Sequence, residues 1–430
     1  MKKKNKFLLI FISVILLALY FFNKDIKYKM KIHLSDNNVI KYNFFKKIIK
    51  TIKDPRYFLN DYNVNFLPQT EFIDFKIHKL KIDKNKDKYK NNGRYNNFIE
   101  IIEDKLFIIT SDGDFLFSEI PNKNYDKKIL NTQKINVNQE FESTQILGSM
   151  YNKDYIYISY KLKIDENCTT VGVARAKIDL ANLYFKELFN LGECAKGLIW
   201  GGAISFYTNR NLDGILLTTS DTLRSKDEDK TANKDLRAQI DESYYNKILL
   251  YSFNNNNFEI YSRGHRNPIG LFVENNLIIS TEHGPRGGDE INLIKKNNNF
   301  GWPISSYGDL YWSKDIEPYY KKNHSEFGFI EPIFSFVPSI GISEIAKVPD
   351  NFSPYWKNNF LIGSLYGQSI YRIKFDEAYS KILFSEKIFI GERVRDIKFY
   401  KNNSIVLSIE DGLDLAILIK NWLITKKEFI

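Results

Sequence analysis

The chain is predicted to be all-β, and three observations predict it. Short runs rich in Ile, Leu, Phe, Tyr and Val recur from about residue 73 almost to the end, separated by Asn, Asp and Gly. Only one stretch, near residue 45, has a convincing helical period. The β-rich part is about 350 residues long, which is long for a sandwich and natural for six four-stranded propeller blades. No repeat of fixed period stands out, so on pattern alone sandwich, barrel and propeller all remain open.

The N-terminus carries its own signals. Lys2, Lys3, Lys4 and Lys6 precede an apolar run over residues 7–22, whose polar members are Ser13 and Tyr20. A basic start followed by such a run is an export signal. No Ala-x-Ala site follows it, and no nearby cysteine offers lipid attachment, so residues 1–30 are expected to be an uncleaved, single-pass membrane anchor. The positive-inside rule then places the body on the periplasmic side. Residues 31–72 form a juxtamembrane segment. Within it, residues 39–53 put Ile40, Phe44, Phe45, Ile48, Ile49 and Ile52 on one helical face among lysines, and Asp54-Pro55 ends the pattern. Such a helix suits an anionic membrane surface or a docking site on the main domain.

Residues 73–425 form that main domain. Strands are expected over 98–102, 106–110 and 115–118, with Asp112-Gly113-Asp114 as a hairpin signal, and over 155–162, 170–178, 203–206, 215–219, 247–253 and 276–280. Further strands are expected over 361–364, 369–375, 395–400 and 404–409. Residues 222–246 are highly charged and read as a surface insertion. The two cysteines, Cys168 and Cys194, are expected outside the cytoplasm, where they form a disulfide or stay as two buried thiols; zinc needs more ligands than this pair supplies. The formal charge of +10 does not point to nucleic acid. Residues 1–56 hold 14 Lys/Arg against three Asp, whereas the remaining 374 hold 48 against 49 Asp/Glu.

The densest stretch is 261–308, where seven glycines and three prolines interleave with charge and aromatics. Glycine and proline at this density mark turns and close approaches to a ligand. Three segments here resemble the glucose/sorbosone dehydrogenase family: Gly264-His265-Arg266-Asn267-Pro268-Ile269-Gly270-Leu271, the EHGPRGGDEIN run of residues 282–292, and residues 299–308 with Phe300 where the family has tyrosine. Pro338-Ser339-Ile340 and Phe352-Ser353-Pro354-Tyr355-Trp356 extend the match, which is strongest over 200–400. The resemblance implies a periplasmic six-bladed β-propeller that oxidises aldoses with pyrroloquinoline quinone (PQQ) and calcium.

What it implies for individual residues agrees with their chemistry. A planar tricarboxylate needs fixed, forked cations. Arg266 with Asn267, and Arg393 with Arg395, match the family's cofactor-binding positions, and residues i and i+2 on a strand share a face. An alternative pairs Arg393 and Arg395 with Glu392 and Asp396 at the surface. Calcium favours oxygen ligands, and the carbonyls of Gly284 and Pro285 match those that hold it beside the quinone. Glu290 and the Phe300 carbonyl match a second, structural calcium site of some members. The catalytic positions depart from the pattern. The family's histidine base falls on Ile199, which cannot accept a proton, while the aspartate that orients it survives as Asp221. Arg266 would face quinone and substrate, and Asp221 would serve as base. A cofactor lysine becomes Tyr366 and a cofactor glutamine falls near Ser143. Of the five histidines (His33, His78, His265, His283 and His324), folding could bring His283 or His324 into the pocket. Two readings follow: a membrane-anchored sugar dehydrogenase with an unidentified electron acceptor, or a non-catalytic propeller that binds a sugar, the quinone or a protein.

Overall fold

The computed structural model describes residues 70, 73–82, 97–120, 129–166, 168–195, 198–209, 212–222, 236–310, 319–401, 403–410 and 415–420, all within the compact unit 65–430. The expected anchor and juxtamembrane helix lie outside the described residues. Among those described there is no α-helix, only strands and two short 3-10 turns at His324–Phe327 and Pro354–Trp356.

The strands follow one another as antiparallel meanders, most of about four strands. β1 (Phe75–Ile82) stands apart in sequence. Next come β2 (Asn97–Ile102), β3 (Lys105–Thr110), β4 (Phe115–Glu119), the two-residue β5 (Ile129–Leu130) and β6 (Gln133–Gln139). β7 (Ser143–Asn152), β8 (Tyr155–Lys163), β9 (Thr169–Lys177) and β10 (Asn182–Asn190) form the next meander. β11 (Leu198–Asn209), β12 (Leu212–Thr222), β13 (Lys247–Ser252) and β14 (Asn257–Arg263) follow. Then come β15 (Pro268–Glu274), β16 (Leu277–Glu282), β17 (Asp289–Leu293), the short β18 (Asn298–Asn299) and β19 (Phe334–Phe336). The chain ends with β20 (Ile342–Lys347), β21 (Asn359–Ser364), β22 (Ser369–Phe375), β23 (Ile382–Phe389), β24 (Arg393–Tyr400), β25 (Ser404–Glu410) and β26 (Leu415–Lys420).

Antiparallel meanders build these groups, because two-to-four-residue turns can join only antiparallel neighbours. The first strand of each group packs against its counterparts in a closed order, β2–β7–β11–β15–β20–β24 and back to β2. The result is a propeller-like ring. β1 closes it by pairing antiparallel with β26, with Phe75 opposite Lys420 and Leu80 opposite Leu415, so the described chain's first strand completes the sheet of its last three. β6 and β10 pair parallel at the periphery and tie two groups into one eight-stranded sheet. Apolar side chains between neighbouring sheets form the core. The Phe-Ser-Pro-Tyr-Trp segment belongs to it: Ser353 caps the 3-10 turn, and Trp356 is fully buried against Phe75, Phe352 and the guanidinium of Arg372.

Several expected strands are longer than the pattern suggests. β11 starts five residues before the expected Ala203, and β12 runs to Thr222. The expected surface insertion is corrected at its C-terminal end. Arg237, Ala238 and Tyr245 are buried, and Gln239 donates to the Trp302 carbonyl.

Cys168 and Cys194 are joined by a disulfide across a separation of 26 residues, with Cα atoms 5.3 Å apart. It links the β8–β9 turn to the segment after β10. Closing a loop of this size restricts the unfolded chain by about 2–4 kcal/mol. Cys168→Ala is therefore expected to lower the unfolding free energy by that amount, read from the urea midpoint of the oxidised protein.

Candidate functional site

The inner strands β11, β15, β20 and β24 all begin at one rim of the ring, and the β16–β17 and β21–β22 turns lie at the same rim. The glycine-rich stretch supplies the walls. A Cβ on Gly264 would lie 2.2 Å from Asn299 Oδ1 and 2.6 Å from Gly301 N, so only glycine allows the β14–β15 turn to pass there. Gly284 is equally constrained, since its Cβ would lie 2.1 Å from the Gly288 carbonyl. The 283–288 turn is bolted to its own sheet and to the next one through Ile342 at the start of β20. The Asn267 carbonyl accepts from His283 N (3.0 Å), His283 Nε2 donates to the Ile342 carbonyl (2.5 Å), and Asp289 accepts from Gly284 N (3.2 Å) and Ile342 N (3.0 Å).

Arg266 is buried in this wall. Its carbonyl accepts from Ser220 Oγ and Asn246 Nδ2, its Nη1 donates to the carbonyls of His283 (3.1 Å) and Gly284 (3.0 Å), and its guanidinium lies 5.3 Å from the Trp302 ring. The Oδ1 atom of Asn267 is buried with no hydrogen-bond partner. Burial pushes the His283 pKa down; Asp289 opposes this, and Arg395 and Arg266 add to it, so the imidazole is neutral. His283 therefore lies within electrostatic reach of two of the expected arginines.

Arg393 and Arg395 lie two residues apart at the start of β24 and share one carboxylate. Arg393 Nε donates to Glu410 Oε2 (2.8 Å), while Arg395 Nε and Nη2 donate to Glu410 Oε1 (2.8 and 2.6 Å). Pairing with Glu392 and Asp396 is thereby corrected. Glu392 bonds Lys79, and Asp396 accepts from the backbone of Ile99 and Ile397. The register explains the choice, since Glu410 is directly opposite Arg393 on β25. Burial pushes the Glu410 carboxyl up, but Arg395 and Arg393 outweigh it and hold the group below its usual range. The triad keeps one net positive charge, and the guanidiniums retain 18–19% exposure.

A narrow cavity of about 40 Å³ opens at this rim between Gln145, Trp200, Ile269, Ser343 and Arg395. A wider one of about 330 Å³ adjoins it and runs between the inner strands. Trp200, 44% exposed, is left uncovered at the mouth, and Tyr366, 78% exposed, lies in the β21–β22 turn.

Glu290 and Phe300 lie beside the site, in a separate buried cluster. Glu282 and Glu290 are directly opposite each other on β16 and β17; burial pushes Glu282 up to about 8, and burial with the Glu282 charge pushes Glu290 well above its usual value. His265 bonds Glu282 (3.0 Å) and Ser262 (2.8 Å) and stacks on Phe300. His324, not seen as part of this cluster in the sequence, enters between Phe300 and Glu290.

The comparisons with known proteins agree with this geometry. The family model for glucose/sorbosone dehydrogenases matches residues 99–418. The chain belongs to the glucose/sorbosone dehydrogenase family. An uncharacterized Synechocystis protein is 35% identical over 143 residues, a third of either chain. The aldose sugar dehydrogenase YliI of Escherichia coli is 28% identical over 251 residues, 56% of this chain and 67% of that one. Among solved structures, the PQQ-bound aldose sugar dehydrogenase of Streptomyces coelicolor superposes with a TM-score of 0.56 at 15% identity, covering 82% of this chain and all of that one, and shows the shared fold. This glucose/sorbosone dehydrogenase family member departs from the expected pattern at the head of β11. Ile199 is 3% exposed, packed in an apolar cluster, and its backbone pairs with Asp221 on β12. The Asp221 side chain is not among those described.

Sequence reading missed a second polar group on the ring axis. Glu100, Glu344 and Asp396 from three inner strands surround Lys398 in the wide cavity. Burial lowers the Lys398 pKa, but Asp396, Glu100 and Glu344 outweigh it and hold the ammonium charged, while burial and Asp396 push Glu344 up to about 8. β2, β20 and β24, from three different sheets, supply these residues, so only the closed ring reveals the cluster.

Proposed function

We propose that this protein is an exported, membrane-anchored sugar dehydrogenase of the quinoprotein type, built as a six-bladed propeller, that binds PQQ with calcium at the rim around His283. One observation carries the reading: Arg266 donates to the His283 and Gly284 carbonyls at the rim whose cavity Arg395 lines. Arg393 and Arg395, held in place by Glu410, offer the remaining donors to a polycarboxylate. Asn267 Oδ1 is a buried acceptor that a ligand donor would satisfy. The fit to calcium is conditional. The ion takes 6–8 oxygens, and the Gly284 and Pro285 carbonyls supply two beside a guanidinium. A ligand that brings its own carboxylates completes the shell and offsets the arginine charge, so ion and cofactor are expected to bind together.

When bound, PQQ supplies the acceptor for hydride from the sugar carbon. The chain's part is to orient the sugar against Arg266 and Trp200 and to remove the hydroxyl proton. With Ile199 in place of the histidine, Asp221 on the opposing strand is assigned that proton. A carboxylate is intrinsically a weaker base than an imidazole, so turnover is expected to be slow. Buried Ile199 also favours a second reading, a propeller that binds quinone or sugar without turnover. The basic, apolar N-terminus and the disulfide support the extracytoplasmic placement.

The purified full chain is expected to shift the visible spectrum of PQQ in the presence of calcium, and to reduce a dye slowly with aldoses. Binding without any dye reduction selects the second reading. Absence of binding removes both quinone readings.

A further inference from the structure

The Phe300 carbonyl and the Glu290 carboxylate are the two groups that the resemblance assigns to a structural calcium. Their surroundings do not suit that ion. The carbonyl accepts a hydrogen bond from His324 Nδ1 at 2.9 Å, and His324 Nε2 faces Glu290 Oε1 at 3.6 Å. The imidazole thus lies between the two expected ligands. Tyr307 stacks on it with centroids 5.1 Å apart and planes 21° apart, and Tyr307 is in turn fixed by its hydroxyl bond to Glu331 (2.7 Å). A calcium ion would have to approach both oxygens to about 2.3–2.6 Å, within the space the ring fills. The other Glu290 oxygen accepts from Asn292 Nδ2 (3.3 Å), and the neighbouring Glu282 is engaged by His265 (3.0 Å). Among the described residues, no group of three His, Cys, Asp or Glu side chains is arranged to hold a metal.

We infer that His324 takes the place of the second metal ion of this rim, and that its imidazole pins the 300–308 loop to the His324–Phe327 turn without calcium. The ring reaches the site from the 3-10 turn His324–Phe327. Asn323 precedes that turn in the left-handed region (φ 53°), and Gly328 follows it at φ 80°. Both ends therefore reverse sharply and set the ring at the required depth. The pin connects the 300–308 loop, through the Phe300 carbonyl and Tyr307, to its own turn, while Nε2 lies buried against Glu290 of β17 without a hydrogen bond. A calcium-bound loop would lose this connection whenever the ion was removed. An imidazole-bound loop keeps it, so calcium dependence is confined to the Gly284-Pro285 pocket.

The test uses the full chain without quinone, so its outcome does not depend on the proposed activity. Thermal unfolding is followed with a chelator and with added calcium, zinc or manganese, for the wild type, Glu290→Gln and His324→Ala. Wild type and Glu290→Gln are expected to respond identically to each ion, because whatever response exists arises elsewhere. His324→Ala is expected to melt several degrees lower at every ion concentration, and His324→Gln, whose amide can still donate to the Phe300 carbonyl, to recover part of the loss. The inference is overturned if any of the three ions raises the wild-type Tm by more than it raises that of Glu290→Gln, the signature of a ligand bound through this carboxylate. Should a variant fail to fold, elemental analysis of dialysed wild type decides. Stoichiometric retained metal contradicts the inference, and its absence supports it.

Discussion

Ile199→His is expected to raise the quinone-dependent rate of sugar oxidation by about 10²–10⁴-fold, the contribution of a positioned general base. Ile199 is packed in an apolar cluster beside the mouth, so the gain requires the new ring to turn from that cluster toward the cavity that Trp200 lines. Residue 199 lies at the head of β11, on the strand that carries Trp200 into the mouth, and its backbone partner is Asp221. Gly201 and Gly202, at φ 74° and 86°, break the β11–β12 register just beyond it. A Cβ on Gly202 would lie 2.4 Å from Leu147 Cβ, so that bend depends on glycine. Histidine and isoleucine are of similar size, and the ring can be oriented by an aspartate on the facing strand. The gain should appear in kcat and not in the affinity for PQQ. The rate should also acquire a rise with pH, centred below the ordinary imidazole value of about 6.5 because burial disfavours the charged ring. Ile199→Leu is the control and should leave the rate unchanged. If Ile199→His binds quinone normally yet is no faster, the base lies elsewhere and the role given to Asp221 fails with it.

Glu410→Ala is expected to cost about 3 kcal/mol of stability, the lower end of the 3–5 range for breaking a buried ion pair. Glu410 is 1% exposed and accepts from two guanidiniums, but those retain about a fifth of their exposure and can recover some hydration. Removing the carboxylate also leaves Arg393 and Arg395 as like charges on one face of β24, free to point away from the rim. PQQ binding should therefore weaken, in contrast to a purely structural lesion. The pH dependence has a definite sign. The folded Glu410 pKa is depressed, so its stabilisation is present above the unfolded value, about 4.3, and is lost as pH falls through the folded value. Glu410→Gln should remove that acid-side slope. Urea unfolding at neutral pH and at several values below 5 measures both effects. A loss under about 1 kcal/mol, typical of an exposed pair, would show that the triad is only a surface contact.

Particular residues show why some of this structure was legible in the chain and some was not. Strands such as β3, β8 and β25 carry apolar runs bounded by turn residues, and local pattern suffices to find them. Inner strands are different. β15 begins with proline and contains Gly270, and β7 mixes serine, glycine and threonine and is bulged twice. Their side chains line a cavity on one side and touch neighbouring inner strands on the other, so the alternation of a half-buried strand is absent. Proline is tolerated at the first position of β15 because no ladder donor is required there. The glycine-rich rim was legible for the opposite reason, since close backbone approaches at Gly264 and Gly284 leave an unmistakable composition. The partners of the site residues were not. Glu410 meets Arg393 only through the β24–β25 register, where the sequence offers Glu392 and Asp396 as nearer neighbours. His324 reaches Phe300 from 24 positions further along the chain, and Lys398 finds Glu100 only because the ring closes.

The central claim is that this rim binds a quinone polycarboxylate with calcium, and equilibrium dialysis of PQQ against the full chain tests it most directly. One molecule bound per chain in the presence of calcium, much weaker binding with a chelator, and loss of binding in Arg395→Ala are predicted. No retention of PQQ by the wild type, or retention that Arg395→Ala leaves unchanged, would contradict the account.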